Sequence, residues 1–199
     1  MRRYLFIILL LFVSGSGCES GPRISPFGEE TVILAFGDSL TYGTGAPASQ
    51  SYPEALASLI ERPVINAGLP GEVTSAGRER LPGQLAKHRP TLVILCHGGN
   101  DFLRRLDPEA TARNLRAMIE LSRASGADVL LIGVPKLGFG LEVPAFYPAL
   151  AKDFALPYQG EILIELLGDH SMKSDPIHPN ADGYRLLAEA IHNSLRRSF

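Results

Sequence analysis

The chain of 199 residues is long enough for one α/β domain with a sizeable core, and 45% hydrophobic with 20% charged residues is ordinary globular composition. A formal net charge of -2 gives no electrostatic basis for binding nucleic acid. Two cysteines cannot build a disulfide scaffold, and without a CxxC or HExxH cluster the sequence implies neither a metal nor a cofactor.

The N-terminus reads as a targeting segment: Arg2 and Arg3 are a basic start, Tyr4 to Val13 an apolar run too short to span a bilayer, and Ser14 to Gly17 a stretch of small residues. That stretch ends at Cys18, and the whole resembles a bacterial lipoprotein signal in which cleavage leaves the cysteine as a lipid-bearing N-terminus. Gly15 departs from the aliphatic residue usual three positions before the cysteine, and a plain secretory peptide is the alternative. Residues 1–17 are then a signal peptide, 18–30 a Ser/Pro/Gly-rich tether and 31–199 the domain. The mature protein is expected outside the cytoplasm, in a bacterial envelope. Glu19 after the cysteine points, by the same resemblance, to a periplasm-facing outer-membrane anchor.

From Thr31 onward strand and helix patterns alternate. Strands are expected at Val32–Phe36, Val64–Asn66, Leu92–Cys96 and Val129–Gly133, with helices near Tyr52–Ile60, Thr74–Lys87, Pro108–Ala124, Ala145–Phe154 and Ala181–Arg196. Asp107, Pro108 and Glu109 are a helix-start signal, and Gly126 a stop. This alternation predicts a single α/β domain of three α/β/α layers around a central parallel sheet.

The first strand breaks at once into GDSLTYGTG, delivering Ser39 on a tight turn at the carboxyl end of a parallel strand, where open α/β sheets bind their ligands. Ser39 is the candidate nucleophile, although the same turn fits a serine that merely caps the next helix. Three further loops bear on it. NAGLPGEVTS, residues 66–75, exposes backbone N–H groups of the kind an oxyanion site needs, or is simply a glycine-rich turn. HGGND, residues 97–101, offers the Asn100 amide as a donor, or an Asx turn. SDPIHPN, residues 174–180, holds Asp175 and His178 three apart between prolines, so that a carboxylate can orient an imidazole. His88, His170 and His192 read as surface residues, and Cys96 as core.

Taken together, GDSLT, the Gly71 loop, GGND and DPIH resemble the SGNH (GDSL) hydrolase family, within it the thioesterase I, lysophospholipase and arylesterase group. The resemblance covers about Thr31 to Ser198 and implies a flavodoxin-like fold. It implies Ser39 as nucleophile, His178 as base, Asp175 as its orienting carboxylate, and the Ser39 and Gly71 N–H groups with Asn100 as oxyanion donors. Gly68 lies in the same loop as Gly71; the Asn-Ala-x-x-x-Gly-Glu run favours Gly71. The sequence departs from the group in a short segment from Pro135 to Leu156 and in His97, where an acidic residue is more usual. No cofactor is needed. The implied substrate is a lipid-like acyl ester, with a carbohydrate O-deacetylase or a non-catalytic tethered binder as alternatives; the apolar Leu69, Phe102, Leu137, Phe139, Leu141 and Phe146 either line a groove for its chain or belong to the core. Its partners are then that small molecule and, through the anchor, a membrane.

Overall fold

Strand β1 (Ile33–Gly37) is buried along its whole length because it lies between two parallel neighbours, β2 (Val64–Gly68) and β3 (Leu92–Cys96). The computed structural model describes residues 23–138 and 140–199; the signal segment, Cys18, the first part of the tether and Phe139 lie outside them. β4 (Asp128–Ile132) follows β3, and the order is completed through two short strands, β5 (Lys136–Leu137) and β6 (Leu141–Glu142), which form a separate antiparallel hairpin, and β7 (Tyr158–Gln159). The five-stranded parallel sheet runs β2-β1-β3-β4-β7. With both faces covered, its inner strands β1, β3 and β4 are near-continuous apolar runs rather than alternating ones.

The chain steps from β1 outward to β2 and then back across β1 to β3, so right-handed crossovers place the connecting helices on opposite faces. On one face α2 (Tyr52–Ile60) packs against α8 (Ala181–Arg196), and on the other α3 (Thr74–His88) packs against α5 (Pro108–Ala124). α8 shows why it belongs there: Tyr184, Leu187, Ala188, Ile191 and Leu195 form one buried stripe at helical spacing. α5 starts as its sequence predicts, with the Asp107 carboxylate accepting from the Glu109 and Ala110 N–H groups at 3.0 and 3.1 Å.

The single-domain, parallel-sheet architecture is as expected, with local corrections. β4 begins one residue early, at Asp128. β2 runs on to Gly68, two residues past its expected end. The edge strand β7 and helix α7 (Ile162–Gly168) were not foreseen: β7 is two residues long, too short to show a period, and depends on pairing with Leu131 and Ile132. The domain also reaches further back than Thr31. Ile24 is buried, its N–H donating to the Ser198 carbonyl at 2.8 Å, the Ser25 N–H donates to Asp128 Oδ2, and Phe27 meets Phe199 edge-on. The described part of the tether is therefore docked at the amino ends of the strands.

The register brings three strand ends level, Gly37 pairing with Gly68 on one side and Cys96 on the other. Gly37 has no room for a side chain, since a Cβ there would lie 2.0 Å from the Cys96 carbonyl oxygen. Gly37→Ala is expected to cost about 1–3 kcal/mol in urea-monitored unfolding, because backbone rather than a flexible side chain must yield.

Candidate active site

β1 delivers Asp38 and Ser39 to the carboxyl edge of the sheet. Asp38 caps a four-residue helix, α1 (Ser39–Tyr42), its Oδ1 accepting the Leu40 N–H at 3.1 Å. Ser39 is therefore the first helical residue, and its own N–H has no acceptor among the described residues. Burial pushes the Asp38 carboxyl above its ordinary range, a shift only partly offset by His97, the Leu40 N–H and Asn100.

The loop before α8 supplies the facing groups. The Asp175 Oδ1 accepts the Ile177 and His178 N–H groups at 2.8 and 2.9 Å, which folds the loop back on itself. Its Oδ2 lies 2.7 Å from His178 Nδ1, and His178 Nε2 lies 3.0 Å from Ser39 Oγ. Ser39, His178 and Asp175 thus form one continuous hydrogen-bonded line between residues 139 apart in sequence. Partial burial pushes the Asp175 carboxyl up, but the His178 ring and the two backbone donors outweigh it and hold the group below its ordinary range. An ionised Asp175 accepts the proton on Nδ1, leaving the Nε2 lone pair for the serine hydroxyl; the tautomer follows from the network.

On the other side of Ser39 stand the loops after β2 and β3. Gly71 has a left-handed φ of +79°, and its carbonyl accepts from Arg104 at 2.8 Å while its N–H has no acceptor among the described residues. Gly68, the other glycine of that loop, spends its N–H on Asn66 Oδ1 at 3.0 Å. Asn100 sits in α4 (Gly99–Leu103), and its Nδ2 donates to Asp38 Oδ2 at 3.2 Å and to the Glu72 carbonyl at 3.0 Å. Both amide protons are engaged, so facing a third oxygen means sharing or releasing the longer bond to Asp38. All five expected site residues converge on one edge of the sheet, while Cys18 lies outside the described residues.

The sequence reading missed the groups beneath this layer. Glu72 is buried and accepts both Arg80 Nε and Arg80 Nη2 at 2.7 Å, while His97, fully buried, meets it through Nε2 at 3.1 Å. Asp101 is likewise buried and accepts from the Thr74 N–H and the Thr74 and Thr111 hydroxyls. The signals available were the glutamate that follows Gly71, the departure at His97 and the charged type of these residues beside apolar strand ends.

An open cleft faces Ser39 and His178, walled by Phe102, Leu103, Val134, Leu137, Leu167 and Ile177. Of the expected lining residues that are described, Phe102 and Leu137 border it, and Phe139 lies outside the described residues. Leu69 is exposed outside it, Phe146 stacks on Tyr147 behind Phe102, and Leu141 pairs with Leu137 in the hairpin. Among the described residues no three His, Cys, Asp or Glu side chains are grouped as a metal site requires.

Residues 35–186 match the model of the GDSL-like Lipase/Acylhydrolase family. The chain is 30% identical over 201 residues to thioesterase 1/protease 1/lysophospholipase L1 of Escherichia coli, covering 97% of this chain and 90% of that protein. It is 31% identical over 195 residues to esterase TesA of Pseudomonas aeruginosa, covering 91% of this chain and 96% of the relative. Among solved structures, the crystal structure of TesA superposes with a TM-score of 0.75 at 30% identity, covering 85% of this chain and all of that one. The serine at the end of β1, the parallel sheet that carries it and a family match over most of the domain lead to one assignment: the chain belongs to the GDSL-like lipase/acylhydrolase family, the SGNH hydrolases, and is an ester-hydrolysing enzyme.

Proposed function

We propose that the protein hydrolyses carboxylic esters or thioesters of apolar acyl chains through a covalent serine ester. The observation that carries this reading is the 3.0 Å contact between His178 Nε2 and Ser39 Oγ, with Asp175 2.7 Å behind the ring. His178 takes the Ser39 proton as Oγ bonds to the acyl carbonyl carbon, and Asp175 stabilises the imidazolium. The electron pair displaced onto the carbonyl oxygen is met by the N–H groups of Ser39 and Gly71 and by Asn100, whose amide exchanges its bond to Asp38 for the oxyanion. Collapse of this intermediate breaks the bond to the alcohol or thiol, which leaves with the proton from His178. Water, deprotonated by the same ring, then attacks the acyl-enzyme and releases the acid.

The walls of the cleft favour the substrate class. Phe102, Leu137 and their neighbours give the acyl chain an apolar surface, and lipid esters such as lysophospholipids fit this better than a sugar, whose hydroxyls need polar partners. The envelope location and the Cys18 anchor belong to the same proposal. Ile24 is docked at the amino ends of the strands, opposite Ser39, so the anchored protein presents its cleft away from the bilayer that holds it.

Ser39→Ala is expected to abolish fluorophosphonate labelling and to lower kcat for p-nitrophenyl esters by a factor on the order of 10⁴ or more; a labelled mutant would overturn the nucleophile. Asn100→Ala, leaving the triad intact, should lower kcat by about 10²–10³. The depressed Asp175 pKa means that its ion pair with a protonated His178 holds above the ordinary carboxylate range and is lost only as pH falls through the lower, folded value. Asp175 is therefore expected to add no protonation step of its own to the pH profile of kcat/KM within the ordinary carboxylate range. Cys18→Ser should move the full-length protein from the membrane to the soluble fraction on cell fractionation, and unchanged membrane association would remove the lipid anchor.

A further inference from the structure

We infer that Glu72, clamped by Arg80 and His97, is a positioning residue that holds the oxyanion donors in place, and that the His97 N–H is the part of the clamp that sets them. The inference rests on the hydrolase mechanism above.

Glu72 is tied, directly or through Arg80, to the ends of β1, β2 and β3. Its carboxylate accepts the Arg80 fork from α3, and Arg80 Nη2 also reaches the Gly37 carbonyl at 3.3 Å and the Ala67 carbonyl at 3.1 Å, at the ends of β1 and β2. The same carboxylate accepts from His97, the first residue after β3. Its main-chain carbonyl holds Asn100 Nδ2, and the peptide before it is that of Gly71. A shift of Glu72 therefore moves the Gly71 N–H and the Asn100 amide together.

His97 is the unexpected member. Arg80 already supplies a cation and two donors, so charge neutralisation does not require a histidine. Buried Glu72 is pushed up by desolvation, but the Arg80 and His97 hydrogen bonds outweigh this and keep it an ionised acceptor. His97 must then donate from Nε2, and its other ring nitrogen, Nδ1, is buried with no partner among the described residues. An apolar side chain of similar size would fill the space without that orphaned nitrogen. What the imidazole adds is one N–H aimed at Oε2, a third donor that removes the remaining rotational freedom of the carboxylate. Room for the pair comes from Gly77 of α3, where a Cβ would lie 2.4 Å from His97 Nε2 and 3.3 Å from Glu72 Oε2. A glycine inside a helix is otherwise unfavourable, and here it accommodates the ring. Tyr147 donates to the His97 carbonyl at 2.7 Å and so holds the main chain that carries the ring.

The test compares purified wild type with His97→Leu, His97→Gln and Gly77→Ala, measuring kcat and KM for p-nitrophenyl butyrate at 25 °C, thermal unfolding, and the NMR resonances and exchange rates of the Asn100 side-chain amide and Gly71 N–H. His97→Leu should lower kcat about tenfold to a hundredfold with KM within about twofold while the protein stays folded, the cost of misplacing donors rather than losing substrate. His97→Gln, whose amide N–H can reach the Nε2 position, should recover kcat to within about threefold of wild type, and Gly77→Ala should repeat the loss. The Asn100 and Gly71 signals should shift and exchange faster in His97→Leu and Gly77→Ala only. A kcat for His97→Leu within twofold of wild type, a loss confined to KM, or a glutamine variant as poor as the leucine one would overturn the inference. The NMR readout is independent of turnover. If wild type hydrolyses no ester, the mechanism fails, while undisturbed Asn100 and Gly71 signals in His97→Leu would by themselves sink the positioning role.

Discussion

The level ending of β2, β1 and β3 is the constraint on which the site depends. Parallel register places Gly68, Gly37 and Cys96 side by side, so three loops far apart in sequence leave the sheet in one row. The reversal of strand order between β1 and β3 opens a crevice there, and Ser39 stands at its lip. The close approach at Gly37, where even a methyl group would collide with backbone, keeps the row tight enough for Asn100 to reach Asp38 across 3.2 Å.

Such a tight row forces polar groups into the interior. Asp38, Glu72, His97 and Asp101 are all nearly or wholly buried beneath the loops, in a region whose surroundings are apolar strand ends. The three carboxylates are each supplied with donors, and two of them respond in opposite directions. Glu72 is held low by Arg80 and His97 against the desolvation that would raise it, whereas Asp38, with weaker compensation, stays raised. An ionised Asp38 therefore opposes folding as pH rises from its unfolded to its folded value, a stability cost at neutral pH. Strain and desolvation of this kind are concentrated at functional sites.

The two ends of the sheet are chemically different. The carboxyl end carries the cleft, with Leu103 and Leu137 exposed at its edge. The amino end is closed by the docked segment from Ile24 to Phe27 and by the C-terminal Ser198 and Phe199. The β5–β6 hairpin brings Leu137 to the cleft, so the short segment from Pro135 to Leu156 still supplies a wall of it.

Most of the architecture was legible in the sequence because long buried strands and amphipathic helices carry their own period. β3, α2, α5 and α8 have the bounds their patterns predict, and Asp107 and Asn180 act as the caps their types suggest. That Ser39, Asp175 and His178 could meet was legible for a different reason: they lie in short segments whose glycines and prolines mark turns. Elements without a period were not legible, such as two-residue β7, which exists only by pairing with β4. The tertiary structure alone decided that Ile24 belongs to the domain and that Val134, Leu167 and Ile177 wall the cleft. It also decided that Glu72, Arg80 and His97 meet. Local sequence encodes conformation, whereas the partner of a buried charge is chosen by which strand ends the sheet brings level.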